Sequence, residues 1–203
     1  NSRIYGEVQA TNQTNGSSMQ NPGLVGGTPA PTPLPEYDRQ DQINRVGTTI
    51  TGSSASCSSG TRIWAANTRI NGNVTVSGNC AITVEGDVWI TGNLTLTNSA
   101  SLAVKLGITT QPVIMVDGAS GVALRNNSDL LSNTNLTPVG FKVITYASSV
   151  TCSTATSSAC DVTGTNLYNS KNITTISIEN AAEAAQTEFY ARWSKVVVNN
   201  SGN

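Results

Sequence analysis

Glu85 and Asp87 flank Gly86 at what reads as the corner between two short strands. Two carboxylates about 5 to 10 Å apart are what glycoside hydrolysis needs, one as general acid and the other as base or nucleophile. Side chains at i and i+2 of an extended chain can share one side, and Asp117 can stand one or two repeats further on. The competing reading makes all three solvated corner residues. The chain contains no histidine, which excludes a His general base, a Ser-His-Asp triad and His-ligated metal sites. Oxygen ligands alone would suit calcium, but neither an EF-hand loop nor a G-G-x-G-x-D array occurs. The expectation is a non-enzyme with no metal and no cofactor.

Trp89 is the residue best suited to binding. Its neighbours Val88 and Ile90 read as inward-facing, so Trp89 points outward, into the column expected for Thr75 and Thr95. An outward Trp can stack on a sugar or on a partner protein; alternatively a loop, such as a proline-rich one, covers it. Trp64 and Trp193 flank irregular segments and are expected to pack there. Arg62, Arg69, Lys105, Arg125 and Lys142 recur along the chain and in a segregated stripe would suit DNA. The balance of 11 Lys+Arg against 12 Asp+Glu opposes that use, because non-specific nucleic-acid binding rests on a basic footprint.

The four cysteines are Cys57, Cys80, Cys152 and Cys160. Four allow three pairings; sequence order and local spacing favour Cys57–Cys80 and Cys152–Cys160. Loop entropy assigns about 3.4 and 2.6 kcal/mol to these closures. The zinc alternative has no C-x-x-C and no His to support it. Disulfides imply an oxidising, extracellular compartment.

The elements that must carry these residues are legible in 70–97, written as INGNVTVSGNCAIT over VEGDVWITGNLTLT. Gly72 falls on Gly86, Gly78 on Gly92, Val74 and Val76 on Val88 and Ile90, and Ile82 on Leu96. Apolar residues alternate with polar ones inside runs of three to five, the pattern of strands buried on one face. Gly and Asn break each run and supply positive-φ corners. A fixed internal period marks repeat architecture, so a β-solenoid is favoured over a sandwich or antiparallel meander, which would not need matching glycines. The expected core is Val74, Val76, Ile82, Val88, Ile90, Leu94, Leu96, Leu102 and Val104. Strands 70–76 and 84–90 should pair in parallel at an offset of fourteen, or of one longer coil. The pattern continues less regularly through Ile114, Val116, Val122, Leu124, Val143, Ile144, Ile173, Ile176, Ile178 and Val196–Val198.

Two segments interrupt it. Residues 11–36 hold five of the seven prolines and read as an extended Pro/Gly-rich loop, leading into a short helix over 37–46 that would cap the open end. Residues 180–193 begin with Asn180 as a possible N-cap and Glu183 three positions later, and AAEAAQ favours helix, before Phe189 and Tyr190 return to strand. Residues 152–160 form a loop pinned by its own disulfide. No apolar run reaches 18 residues and no signal peptide opens the chain. Both ends, NSRIYGEVQAT and KVVVNNSGN, read as strands cut from something longer.

TRINGNVTVSGNCAITVEGDVWITGNLTLTNSASLAV resembles the β-solenoid modules of bacterial type IV pilus-associated proteins, the large minor pilins and pilus-tip proteins of the PilX-like kind. QPVIMVDGASGVALRNNSDL and TEFYARWSKVVVNNSGN resemble later coils of such modules, and PLPEYDRQDQINRV the short helix before them. The resemblance implies an all-β, right-handed parallel β-solenoid with short capping helices, a single domain over 1–203. It also implies a structural or adhesive role at the cell surface, with pilus subunits, a host or abiotic surface, or a glycan as partners. A carbohydrate-active β-helix enzyme and a pilus-tip DNA receptor are the alternatives. Such proteins carry an N-terminal hydrophobic helix that this sequence lacks, and the family supplies no catalytic residues.

Overall fold

The computed structural model describes residues 39–146, 174–191 and 194–199. The Pro/Gly-rich loop at 11–36, the first strand, the Cys152–Cys160 loop, Ile173 and Trp193 lie outside them. In chain order, α1 (Arg39–Asn44) is followed by β1 (Thr48–Thr51), the one-turn α2 (Gly52–Ala55) and β2 (Cys57–Trp64). Then come β3 (Thr68–Asn71), the long β4 (Val74–Val84), β5 (Val88–Ile90), β6 (Leu94–Leu96) and β7 (Ser101–Val104). Next are β8 (Val113–Val116), β9 (Val122–Leu124), β10 (Asp129–Leu131) and β11 (Lys142–Thr145). The last are β12 (Thr174–Glu179), β13 (Glu183–Ala184), β14 (Glu188–Ala191) and β15 (Lys195–Asn199).

The fold is all-β, and the pairings run parallel in three ladders that the chain visits in rotation. Ladder one is β1-β3-β5-β8-β11-β14. Ladder two joins the first half of β4 to β6, β9, β12 and β15. Ladder three joins β2 to the second half of β4, then β7, β10 and β13. One passage through all three is a circuit. Ile50 pairs with Ile70 and Ile70 with Ile90, while Val74 pairs with Leu94, so an unadorned circuit is 20 residues and not fourteen. The fourteen-residue match is nevertheless physical. It carries Val74 of ladder two onto Val88 of ladder one, two sides further round a three-sided circuit. Longer loops stretch later circuits without breaking register: Leu94 pairs with Val122, and Val122 with Ile176.

Every expected core residue is buried, from Ile90, Leu96 and Leu102 at 0% to Val104 at 4% exposed. Alternation explains this, because period-2 strands send one set of side chains inward, and parallel register stacks each set on its equivalent in the next circuit. The glycines divide by cause. Gly72 and Gly78 take φ of +96° and +57°, as a corner needs. Gly92 instead leaves room, since a Cβ there would lie 2.4 Å from the carbonyl carbon of Gly72. At the turn from ladder two to ladder three, Asn98, Asn126 and Asn180 all adopt left-handed φ, between +54° and +57°. They also stack: Asn126 Nδ2 donates to Asn98 Oδ1 at 3.3 Å, and Asn180 Nδ2 to Asn126 Oδ1 at 3.2 Å. Asparagine suits this because its short amide tolerates the conformation and bonds its neighbour.

Cys57 and Cys80 form the expected disulfide, with Cα atoms 6.0 Å apart. It ties the first circuit to the second, and the loop-entropy model assigns it about 3.4 kcal/mol. Helix α1 forms inside the expected 37–46 segment, but its side chains run along ladder one. Arg39 reaches Asp117, and Arg45 reaches Asp87. In the first described circuit α2 takes the place of a ladder-two strand, and its Ala55 is buried and accepts a bond from Trp64 Nε1 at 3.3 Å.

The helix expected from Asn180 does not form. Asn180 and Ala181 turn the corner with left-handed φ, and Glu183 and Ala184 form β13 against Asp129 and Leu130. Ala182 is 2% exposed; its burial and the ladder bonds outweigh the modest helix preference of AAEAAQ. The return to strand at Phe189 and Tyr190 is β14. Among the described residues no helix is long and apolar enough to cross a membrane.

Candidate functional site

The three acids singled out by the sequence are each tied to another part of the chain. Glu85 Oε1 accepts from Lys105 Nζ at 2.8 Å, joining neighbouring circuits. Asp87 Oδ1 accepts the backbone N–H of Val113 at 2.9 Å, and its other oxygen lies 3.5 Å from Arg45. Asp117 Oδ2 accepts from Trp89 Nε1 at 2.8 Å and from Arg39 Nη2 at 2.6 Å. Among the described residues no three His, Cys, Asp or Glu side chains are placed to hold a metal ion.

Trp89 does point away from the core, but its column is that of Arg69 and Met115 on ladder one. Thr75 and Thr95 pair with each other on ladder two. The structure therefore separates the three residues into two places. Trp89 is half-buried: the Arg69 guanidinium lies 4.6 Å from its ring centroid and that of Arg39 5.9 Å. These contacts are cation–π attractions, and they commit much of the ring to α1 and ladder one. Arg69 Nε is buried without a hydrogen-bond partner, so the ring offsets part of its desolvation.

Thr95 lies elsewhere, in a groove of about 500 Å³ along the outer face of ladder two. Register makes its floor: Thr95, Ala123, Ser177 and Val197 follow one another on successive circuits. Small side chains leave the depression, and an ion pair between Arg125 and Glu179 at 3.3 Å stands at its edge. Thr75 continues the same column one circuit earlier and is exposed. Of these residues the sequence singled out Thr75, Thr95 and Arg125. Ser177 and Glu179 were out of reach because the long insertion before β12 hides their register.

The basic residues do not share one stripe. Arg62 lies on ladder three and bonds Ser54 O, Arg69 sits over Trp89, and Lys105, Arg125 and Lys142 pair with Glu85, Glu179 and Glu188.

Asp129 and Glu183 are register partners on ladder three. Burial, and then the Glu183 charge, hold the Asp129 carboxyl above its ordinary value of 3.8. The folded state thus binds this proton more readily than the unfolded chain. Its contribution to stability is complete below pH 3.8 and is lost as pH rises through the raised value. Asp129→Asn is accordingly expected to stabilise the fold at pH 7 by a few tenths of a kcal/mol, a solvent-screened like-charge effect. Urea midpoints at pH 7 and at about pH 3 test this. The gain should vanish at the lower pH; a loss at pH 7 would mean that the carboxylate is a needed acceptor.

Comparison with known proteins returns no matching family model, no characterised relative and no solved structure of significant similarity. Fold and surface together define a class: a repetitive, parallel, disulfide-tied all-β protein with an outward groove of small polar side chains.

Proposed function

We propose that the circuits wind as a right-handed parallel β-solenoid serving as a non-enzymatic structural and adhesive domain. In this reading it belongs to a type IV pilus-associated protein at the cell surface, a minor pilin or pilus-tip subunit, whose partners are other subunits, a surface or a glycan. The observation that carries the proposal is the employment of the acids. Glu85, Asp87 and Asp117 bind other parts of the fold, while the ladder-two groove offers hydroxyl and amide groups to a ligand. The disulfide agrees with an oxidising location. The sequence resemblance supplies the pilus assignment.

The test is adhesion of the purified chain to cells, glycans and pilus subunits. Ala123→Trp fills the floor of the groove with an outward side chain, so binding should fall by about tenfold or more, the weight of a central contact, at unchanged melting temperature. Binding should also change little with salt, because short-range hydrogen bonds carry it. Tight DNA binding that weakens steeply with salt would favour the DNA receptor. Release of reducing sugar ends from a polysaccharide, abolished by Glu85→Gln, would favour the enzyme.

A further inference from the structure

The spacing between circuits decides what the ladder-two groove can hold. Its floor is one column of side chains, Thr95, Ala123, Ser177 and Val197, drawn from successive circuits. Its length therefore runs along the stack, with rungs about 4.8 Å apart, the distance between paired strands. Asn93, Ser120 and Thr174 line it where the strands begin, and Arg125, Glu179 and Asn199 where they end. Arg125 and Glu179 are the charged residues of this lining, and they neutralise each other through their 3.3 Å ion pair. Among the described residues the hydroxyls of Thr95 and Ser177 have no hydrogen-bond partner within the fold, and both residues are half-buried. They are donors and acceptors left for a ligand.

A ligand that uses these rungs must repeat in step with them. A polypeptide laid along the column advances about 3.3 Å per residue, so its side chains on one face recur about every 6.6 Å and lose step after one rung. An extended chain of equatorially linked pyranoses advances by close to one rung per sugar. Alternate sugars in such a chain face opposite ways, and the groove has polar groups on both sides to meet them. The floor carries no aromatic ring, so hydrogen bonds to sugar hydroxyls hold the chain in place of stacking. A chain of uronic acids would bring a row of carboxylates past Glu179, answered by one arginine that is already paired. We infer that the groove binds a linear, uncharged, extended polysaccharide whose axis runs along the stack, with one sugar on each of the four rungs. This deepens the adhesive reading and rests on the groove being its binding surface.

The experiment is calorimetric titration of the 203-residue chain with cello-oligosaccharides, from glucose to the hexamer. Affinity should rise up to the tetramer and then level off. The tetramer should bind about tenfold or more tighter than the dimer, the weight of hydrogen bonds on two further rungs. Thr95→Val combined with Ser177→Ala should weaken the tetramer by about tenfold or more for the same reason, while circular dichroism stays that of the wild type. Ala123→Trp should abolish binding. Malto-oligosaccharides, which coil, and oligogalacturonates, which are charged, should bind more weakly than the cello-oligosaccharides. No binding of any cello-oligosaccharide, equal affinity for dimer and tetramer, or binding that survives Ala123→Trp would each overturn the inference. Adhesion to cells or pilus subunits that Ala123→Trp abolishes, with no affinity for any oligosaccharide, would overturn it and leave the adhesive reading standing. Failure to bind cells, subunits and oligosaccharides alike would overturn both.

Discussion

Gly121→Ala should remove a large part of the stability of this fold. Gly121 has φ of +59°, and a Cβ on it would stand 2.0 Å from the carbonyl oxygen of Thr175. Left-handed backbone costs an alanine about 1 kcal/mol. The collision adds about 1–3 kcal/mol, because the obstacle is backbone and not the tip of a flexible side chain. Thr175 has no room to retreat. It is 1% exposed, and its hydroxyl bonds Thr145 Oγ1 at 2.7 Å and also Ser194 Oγ. The carbonyl of Gly121 meanwhile accepts from Leu94 N at 2.9 Å, so a shift would disturb the preceding circuit as well. The expected loss of about 3 kcal/mol is a substantial share of the roughly 5–15 kcal/mol that holds an ordinary domain. Gly60→Ala is the control. Its φ is +78°, but among the described residues nothing lies within 4 Å of the added carbon, so only the backbone cost should appear. Equal urea midpoints for the two variants would refute the close approach of Gly121 to Thr175.

Leu96→Ala should cost about 3–5 kcal/mol, the range for a leucine deleted from a close-packed core. Leu96 is 0% exposed and sits between Val76 and Leu124 in ladder two. Both neighbours are fixed by backbone bonds to adjacent circuits, so the cavity cannot easily collapse. Thr95→Ala, one residue away on the outer face, should stay within about 0.5 kcal/mol. The contrast tests register directly, because a one-residue slip would exchange the two effects. Denaturant unfolding of both variants decides it; a costly Thr95→Ala beside a harmless Leu96→Ala would sink the assigned register.

The core was legible because alternation survives locally from β4 to β7. Val74, Val76, Leu94 and Leu96 declare their inward faces without knowledge of what they pair with. The circuit length was less legible, since two sides of a three-sided turn imitate a whole turn. The 20-residue alignment of Ile70, Gly72, Asn73 and Val74 with Ile90, Gly92, Asn93 and Leu94 was the stronger signal. The fourteen-residue match, which left the choice between fourteen and a longer coil open, also put Trp89 in the wrong column. The Asn180 helix misled because propensity is local, whereas the burial of Ala182 is set by circuits distant in sequence. The groove and the Asp129–Glu183 pair were illegible for the same reason. Their members lie far apart along the chain, and only the folded register brings them side by side.

The disulfide between the first two circuits has a mechanical consequence. Ladder bonds connect each circuit to the next, so a pull on the chain after β15 loads one strand's bonds at a time. The stack then peels from β15 inward, in steps set by single circuits. An unadorned circuit of 20 residues releases up to about 70 Å of chain when fully drawn out. Peeling meets a covalent stop at Cys80. The segment from Cys57 to Cys80 cannot lengthen while its closure is oxidised, so the two tied circuits persist as a knot from which the pulled chain can wind back.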